Sequence, residues 1–315
     1  MKAKTVTVFA PATISNLGSG FDVLGIAIDK PGDIVVAARR REPGLSFSVK
    51  SDKVEVPSDP AKNVSAHVAS MMLDELKPPF GVEMVLHKLM PIGSGLGSSA
   101  ASSVAAVVAV NELLSRPLKR RDLLRFAVEG ERKASGTPHA DNVAPSLLGG
   151  AQLIRSYLPL DVVSIPILKS PVWVVVHPHV IVRTEEARSI LPYMVNLSAA
   201  VQQWGNVAGL TIGLATGDAA LIGKCVEDVI AEPARIHLVP GFVKVKDAAL
   251  KAGAVGCSLS GSGPSMFAVA TSFKAARAIG RTMARTFSRI ARVQSEVYIS
   301  RINFKGARIL SIRSR

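Results

Sequence analysis

Pro91-Ile92-Gly93-Ser94-Gly95-Leu96-Gly97-Ser98-Ser99-Ala100-Ala101-Ser102-Ser103 runs without a break into the apolar stretch Val104–Val110. Gly93, Gly95 and Gly97 let the backbone turn tightly and approach a ligand with no Cβ in the way. Ser98 and Ser99 then open a helix whose first N–H groups are unpaired and whose dipole favours an anion. A glycine loop feeding a helix N-terminus is a phosphate cradle. It is not a Walker loop. Ala100 and Ala101 stand where a Lys-Ser/Thr pair would follow the last glycine, and the Gly223-Lys224 pair is followed by Cys225.

Working outward, Thr5–Ala10, Val23–Ile28, Asp33–Ala38, Leu45–Lys50 and Val82–His87 alternate or cluster apolar residues as strands do. Asn63–Leu76, Ser98–Leu114 and Leu118–Ser135 read as helices. The second of these is apolar or small on every face and is expected to be buried. Pro11–Asp22 and Gly136–Asn142 read as turns or loops, and Gly149–Arg155 begins another strand. After Pro166 the spacing predicts strands at Val172–His177, Gly256–Leu259, Ser265–Ala270 and Ser295–Ile299. Helices are predicted at Thr184–Leu191, Leu197–Thr216, Ala219–Ile230, Phe242–Ala252 and Lys274–Ile290. Helices packed on mixed sheets in two halves make an α+β, two-domain reading. The boundary is expected near residues 157–170, dividing the chain into 1–160 and 161–315.

Apolar residues make up 48% of the 315 positions and charged ones 20%, the balance of a folded globular chain. The longest apolar run is too short to span a bilayer. Lys2-Ala3-Lys4 leads directly into a strand-like run rather than a signal-peptide core, and two cysteines give neither a disulfide framework nor metal-ligand spacing. A reduced, cytoplasmic setting is expected. The net charge of +14 is concentrated at the C-terminus, where Lys274–Arg315 holds eleven basic residues against Glu296. Arg277, Arg281, Arg285 and Arg289 recur at i+4 and form a helix stripe. No aromatic residues interleave with them to stack bases, so a solvated face is favoured over a nucleic-acid surface.

Single residues say less. Asp22 lies in the Gly/Asn turn Asn16-Leu17-Gly18-Ser19-Gly20-Phe21-Asp22, which by itself is only a turn. Gly136-Thr137-Pro138-His139-Ala140-Asp141-Asn142 gathers reactive groups in one loop. Glu131 ends the helix before it. Arg188 and Arg235 each carry a planar fork suited to a carboxylate or phosphate. His177 and His179, separated by Pro178, make a poor metal pair. A second glycine turn, Ser258-Leu259-Ser260-Gly261-Ser262-Gly263-Pro264-Ser265, paired with the first, suggests a nucleotide phosphate held between two domains.

Together these stretches resemble the GHMP kinases. Three family motifs occur in order, at Pro11–Asp22, Pro91–Ser103 and Val255–Phe267. Within that superfamily the homoserine kinases are the nearest in pattern. The stretches that carry this are Asn16-Leu17-Gly18-x-Gly20-Phe21-Asp22, His139–Pro145 with Gly149-Gly150, Thr184-x-Glu186-Ala187-Arg188, and Glu232-Pro233-x-Arg235. The resemblance implies a ribosomal-protein-S5-like N-terminal domain that binds ATP, a ferredoxin-like C-terminal domain, and a homodimer. It also implies MgATP as phosphoryl donor, L-homoserine as the small-molecule acceptor, and a place in threonine biosynthesis. Carried over by position, Ser99 and Glu131 would hold Mg²⁺, and Pro91–Ala101 would wrap the phosphates. Asn63 would lie near the adenine. Arg188 and Arg235 would clamp the substrate carboxylate, Asn16, Asp22 and His139 would surround its amino and polar groups, and Thr184 and Gly261 would complete the pocket. Asp141 is either a general base or a substrate ligand, with Asn142 then orienting the hydroxyl. Mevalonate, shikimate and pantoate are the alternative acceptors, and a non-enzymatic nucleic-acid binder is the reading from another class.

Overall fold

The computed structural model describes residues 4–51 and 56–314. The N-terminal region builds a seven-stranded sheet from β1 (Lys4–Ser15), β2 (Leu24–Arg40), β3 (Leu45–Lys50), β4 (Gly81–His87), β5 (Ala151–Tyr157), β6 (Leu160–Ile165) and the last strand of the chain, β11 (Arg308–Ser314). Its main path is β11-β1-β2-β4-β3, with β5 pairing β2 and carrying β6 outside it. Among the described residues of this sheet only the β3–β4 pair is parallel. The two strands expected at 23–28 and 33–38 are one long strand. Pro31 lacks a ladder N–H, but β1 shifts register opposite it, between Pro11 and Thr13, so pairing resumes on both sides.

Four helices cover this sheet: α1 (Val64–Leu76), α2 (Ser98–Leu113), α3 (Leu124–Ser135) and α4 (Ala140–Leu148). As its composition requires, α2 is buried except at Ser99 and Glu112, packing on β1, β2, α1, α3 and α4. The loop expected through Asn142 is shorter than read. Ala140, Val143, Ala144 and Leu147 form an i, i+3, i+4, i+7 stripe that buries against the sheet and draws residues 140–148 into a helix. His139 becomes its N-cap residue, and Asp141 and Asn142 fall in its first turn. Arg120 fixes the far end of α4. Its Nε donates to the Leu147 carbonyl at 2.9 Å, and Nη2 reaches the Leu147, Lys305 and Ala307 carbonyls. Arg120→Met removes the charged donor that these carbonyls share, leaving Leu147 only the Ala307 amide at 3.3 Å. We expect roughly 2 kcal/mol of lost stability and a Tm lower by about 3 °C in calorimetry. An unchanged Tm would show the link to be dispensable.

The C-terminal region forms a four-stranded antiparallel sheet, β10-β7-β9-β8, from β7 (Val172–Pro178), β8 (Gly256–Leu259), β9 (Met266–Ala270) and β10 (Ser295–Ser300). The chain therefore leaves the first sheet after Ile165 and returns to it at Arg308. Strand β7 is buried along its whole length. Trp173 and Val175 point into a core shared with the first sheet, while Val172, Val174 and Val176 point into a second core. Helices α5 (Thr184–Ser189), α6 (Leu197–Thr216), α7 (Ala219–Cys225), α8 (Ala231–Arg235), α9 (Phe242–Lys251) and α10 (Phe273–Thr286) complete this half. On α10 the face Ala276, Ile279, Gly280 and Met283 is buried, and Arg277, Arg281 and Arg285 lie off it, toward solvent. The helix widens into a π turn at Phe287–Ala291 rather than running evenly to Ile290.

Candidate active site

The glycine loop enters α2 as its spacing requires. Gly93, Gly95 and Gly97 all have positive φ, between +61° and +73°. Gly97 is the N-cap residue of α2, with no capping side chain, which leaves the first-turn amides free for an anion. Beneath the loop lies a buried ion pair that sequence reading missed. Asp33 Oδ1 accepts from the Leu89 and Met90 amides at 2.9 and 3.0 Å. Its Oδ2 accepts from Ser102 Oγ at 2.6 Å and from Lys88 Nζ, and Nζ also donates to the Ser98 carbonyl at 3.0 Å. One carboxylate and one ammonium thus tie the entry of the loop to the first turn of α2. The only sequence signal was a lysine at a strand end just before the loop.

The two glycine turns interlock. Ser260 Oγ donates to the Gly95 carbonyl at 2.7 Å, and the Ser265 amide donates to the Ser94 carbonyl at 3.2 Å. The Gly261 amide donates to the Ser15 carbonyl at 3.1 Å, and Asn16 Nδ2 donates back to the Gly261 carbonyl at 3.0 Å. Between them opens a cavity of about 660 Å³. Among the residues expected at the site, Asn16, Asp22, Asn63, Ile92–Gly95, Gly97–Ser99, Glu131, His139, Asp141, Asn142, Thr184, Arg188, Arg235 and Gly261 line it. Pro91, Leu96, Ala100 and Ala101 do not. Leu96, Ala100 and Ala101 are fully buried in the core of the first sheet, and the Pro91 carbonyl accepts from Ser94 Oγ at 3.0 Å.

One end of the cavity is a charge cluster. Asn16 and Asp22 both adopt left-handed φ, +65° and +59°, and the Asp22 amide donates to Asn16 Oδ1 at 3.0 Å. This strained turn aims the Asp22 carboxylate at Arg188, whose Nη2 donates to Oδ1 and Oδ2 at 2.9 and 2.8 Å and also reaches His139 Nε2 at 2.8 Å. The Arg188 Nε is buried without a partner. Arg235, 3% exposed, donates from Nε to the Ala187 carbonyl at 2.9 Å and from Nη1 to the Gly261 carbonyl at 3.3 Å. Burial lowers its pKa. Phe21, not foreseen as a site residue, lies under both guanidinium groups, 5.6 Å from Arg188 and 5.0 Å from Arg235. Asp228 holds α8, and so Arg235, in place. Its carboxylate accepts from the Ile230, Ala231 and Glu232 amides and from Gln203 of α6.

Asp141 is 1% exposed and its Oδ1 has no partner. Burial and the neighbouring Asp22 carboxylate push its pKa up to about 7, against the opposing pull of His139 and the Ser15 hydroxyl. For His139, burial works against the imidazolium, but Glu131, Asp141 and Asp22 outweigh it and raise the pKa. Its Nδ1 lies beside Ser135 Oγ at 3.0 Å and Glu131 at 3.7 Å. Asn142 sits apart, at the phosphate loop. Its Oδ1 accepts from Thr13 Oγ1 at 2.7 Å, leaving Nδ2 to donate. Asn63 caps α1 through Oδ1 and donates Nδ2 to the Pro57 carbonyl at 3.0 Å, so one amide hydrogen is left for a ligand. Elsewhere, His177 meets Ser265 Oγ at 3.2 Å, and burial lowers its pKa to about 4.

Comparison with known proteins gives the same picture. The GHMP kinases N terminal domain model matches residues 63–150, and the GHMP kinases C terminal model matches 210–289. A homoserine kinase of Chlorobaculum tepidum is 48% identical, over 99% of this chain and all of its own. The crystal structure of a homoserine kinase from Cytophaga hutchinsonii superposes with a TM-score of 0.93 at 49% identity, covering 97% of each chain. The chain belongs to the homoserine kinase family. Within the GHMP superfamily the fold reaches further. An L. major mevalonate kinase superposes with a TM-score of 0.71 at 18% identity, covering 94% of this chain and 95% of that one, a likeness of fold alone. Membership makes the chain a kinase, with ATP as the expected donor.

Proposed function

We propose that this chain transfers the γ-phosphoryl group of ATP to the side-chain hydroxyl of L-homoserine, forming O-phospho-L-homoserine and ADP in the synthesis of threonine. The observation that carries the choice of substrate is the cluster of Arg188, Arg235, Asp22 and Asp141 in one end of the cavity, next to the loop that cradles phosphate. Two guanidinium groups and two carboxyl groups match a zwitterion. An acceptor without an amine would leave the buried Asp141 Oδ1 unpaired.

Arg188 Nε and Arg235 take the substrate carboxylate, with Phe21 as their floor. The ammonium group goes to Asp141, whose buried carboxyl regains a counter-charge. Asn142, held between Thr13 and the glycine loop, orients the hydroxyl toward the γ-phosphorus. The hydroxyl oxygen forms the new P–O bond as the bond to ADP breaks, and its proton passes to a phosphoryl oxygen. This chemistry rests on positioning and charge stabilisation, which the α2 amides and the arginines supply.

Glu131 Oε1 is buried, unpartnered and faces the same cavity as Ser99, so an oxygen-seeking Mg²⁺ fits there. Glu131 and Ser99 would hold it, and it would neutralise charge on the phosphates. Among the described residues no cluster of three or more His, Cys, Asp or Glu competes for a metal, and no helix is long and apolar enough to cross a membrane. Cys225 and Cys257 are buried and unpaired, which suits a reducing cytoplasm.

The test is ADP release with MgATP and L-homoserine, mevalonate, shikimate, pantoate or L-serine. Turnover with L-homoserine about 100-fold or more above the others is expected, the discrimination that unpaired polar groups impose on a wrong substrate. Preferred turnover of a substrate lacking an amine would overturn the pocket assignment while leaving the phosphate site intact.

A further inference from the structure

Between the end of β7 at Pro178 and the start of α5 at Thr184 the chain crosses the glycine loop. The Val182 amide donates to the Gly93 carbonyl at 3.2 Å. Ile181 lies against the same glycine, where an added Cβ would come within 2.8 Å of Ile181 Cγ2. The residue after this crossing, Arg183, has a backbone held on both sides. Val182 before it is 3% exposed, and the Arg183 carbonyl accepts from the amide of the buried Ala187 at 3.0 Å. The side chain is not held. Arg183 is exposed and lines the cavity, and among the described residues its guanidinium has no hydrogen-bond or ion-pair partner. Glu185 and Glu186, which follow it in α5, do not pair with it.

We propose that Arg183 binds the phosphates of ATP and supplies the full charge that the glycine loop lacks, an inference that rests on the kinase reading above. The loop itself offers backbone amides, because Ala100 and Ala101 stand where a Walker loop has its Lys-Ser/Thr pair. Amides orient phosphate oxygens but carry only partial charge, and phosphoryl transfer is accelerated chiefly by charge placed against those oxygens.

The other cations of the cavity are already committed. Among the described residues its lysines and arginines are Lys62, Lys88, Arg183, Arg188 and Arg235. The Lys88 ammonium gives its three N–H groups to Asp33, the Ser98 carbonyl and Ser102 Oγ. Arg188 donates to Asp22 and His139, and Arg235 to the Ala187 and Gly261 carbonyls, at the end assigned to the acceptor. Lys62 stands beside Asn63 at the entry to α1, the adenine end on the same reading. Arg183 remains, one residue from the contact with Gly93, and its planar fork suits two oxygens of one phosphate. Glu185 also lines the cavity, so without a cation next to it this wall would repel the nucleotide.

Titration calorimetry with Mg²⁺ and no acceptor decides it, comparing AMP with the β,γ-imido analogue of ATP. Arg183→Gln is expected to weaken the analogue about 10- to 100-fold, the worth of a charge-assisted contact, and to leave AMP unchanged. Arg183→Lys keeps the charge without the fork and should fall between that variant and the wild type. In steady state, kcat/KM for ATP should drop at least as far for Arg183→Gln, with the KM for L-homoserine unchanged. Because the titration contains no acceptor, it tests Arg183 whichever acceptor the enzyme turns over. Three results would overturn the proposal: unchanged affinity of Arg183→Gln for the analogue, equal weakening of AMP and the analogue, or a raised KM for L-homoserine at unchanged analogue affinity.

Discussion

Asp141→Asn is expected to raise the KM for L-homoserine by about 10²–10⁴ and to lower turnover far less. The carboxyl is buried, and an asparagine in its place leaves the substrate ammonium without a counter-charge. Breaking a buried ion pair from one side costs about 3–5 kcal/mol, which is that range of affinity. A raised pKa gives two further signatures. In the free enzyme Asp141 must ionise to receive the ammonium, so kcat/KM for L-homoserine should climb with pH through about 7, and Asp141→Asn should flatten that limb. Stability moves the other way. The folded carboxyl binds its proton more tightly than the unfolded one, so the folded chain loses stability as pH rises from about 3.8 to about 7, and the full penalty remains above that. Asp141→Asn removes the penalty, and its Tm should exceed that of the wild type well above that range but not at its acid end. Initial-rate kinetics over pH and two calorimetric scans measure all of this. Turnover slowed roughly 100-fold or more at unchanged KM would instead make Asp141 the general base.

Gly95→Ala is expected to reduce kcat/KM for ATP by about 100-fold or more, the loss that follows when a positioning loop is displaced by an ångström, and to lower the Tm. The residue has φ +73°. An L side chain is strained there by about 1–2 kcal/mol. Strain is the smaller part. A Cβ would stand 2.3 Å from the Ser260 carbonyl oxygen and 2.7 Å from that of Gly263, both backbone atoms of the second glycine turn. Neither can swing aside, so the two turns would have to part, opening the hydrogen bonds Ser260–Gly95 and Ser265–Ser94. Gly44→Ala is the control, since φ is +81° there but nothing lies within 4 Å of the new Cβ. Equal effects of the two variants on kcat/KM would mean that the interlock does not shape the phosphate site.

Local signals in the sequence carried much of the fold and of the site. Alternating and helical apolar patterns marked most strands and helices. The Gly93–Gly97 spacing marked the phosphate loop because glycine is what a run of positive-φ turns requires. What local signals lacked were the long-range contacts. Strand β11 was not foreseen, since its half-exposed residues pair with β1 from the other end of the chain. Helix α4 was shortened to a loop because its apolar stripe spans only nine residues and begins behind a proline and a histidine.

The site divides in the same way. Sequence by itself determined which chemical groups are available: the glycine loop, Asp22, Asp141, Arg188, Arg235 and Glu131, in an order that marks a family. It said nothing of how those groups act on one another. Asp22 and Arg188 lie 166 positions apart, and only the packing of α5 against the turn at Asn16–Asp22 makes them a pair. Only burial beside Asp22 turns an ordinary aspartate at 141 into one that titrates near neutrality. Helix α6 reads in sequence as apolar on more than one side, and only the tertiary structure shows that Gln203, Leu210, Gly213 and Leu214 face the core. Residue type and spacing are local properties of the chain, whereas charge environment and exposure belong to the folded surface as a whole.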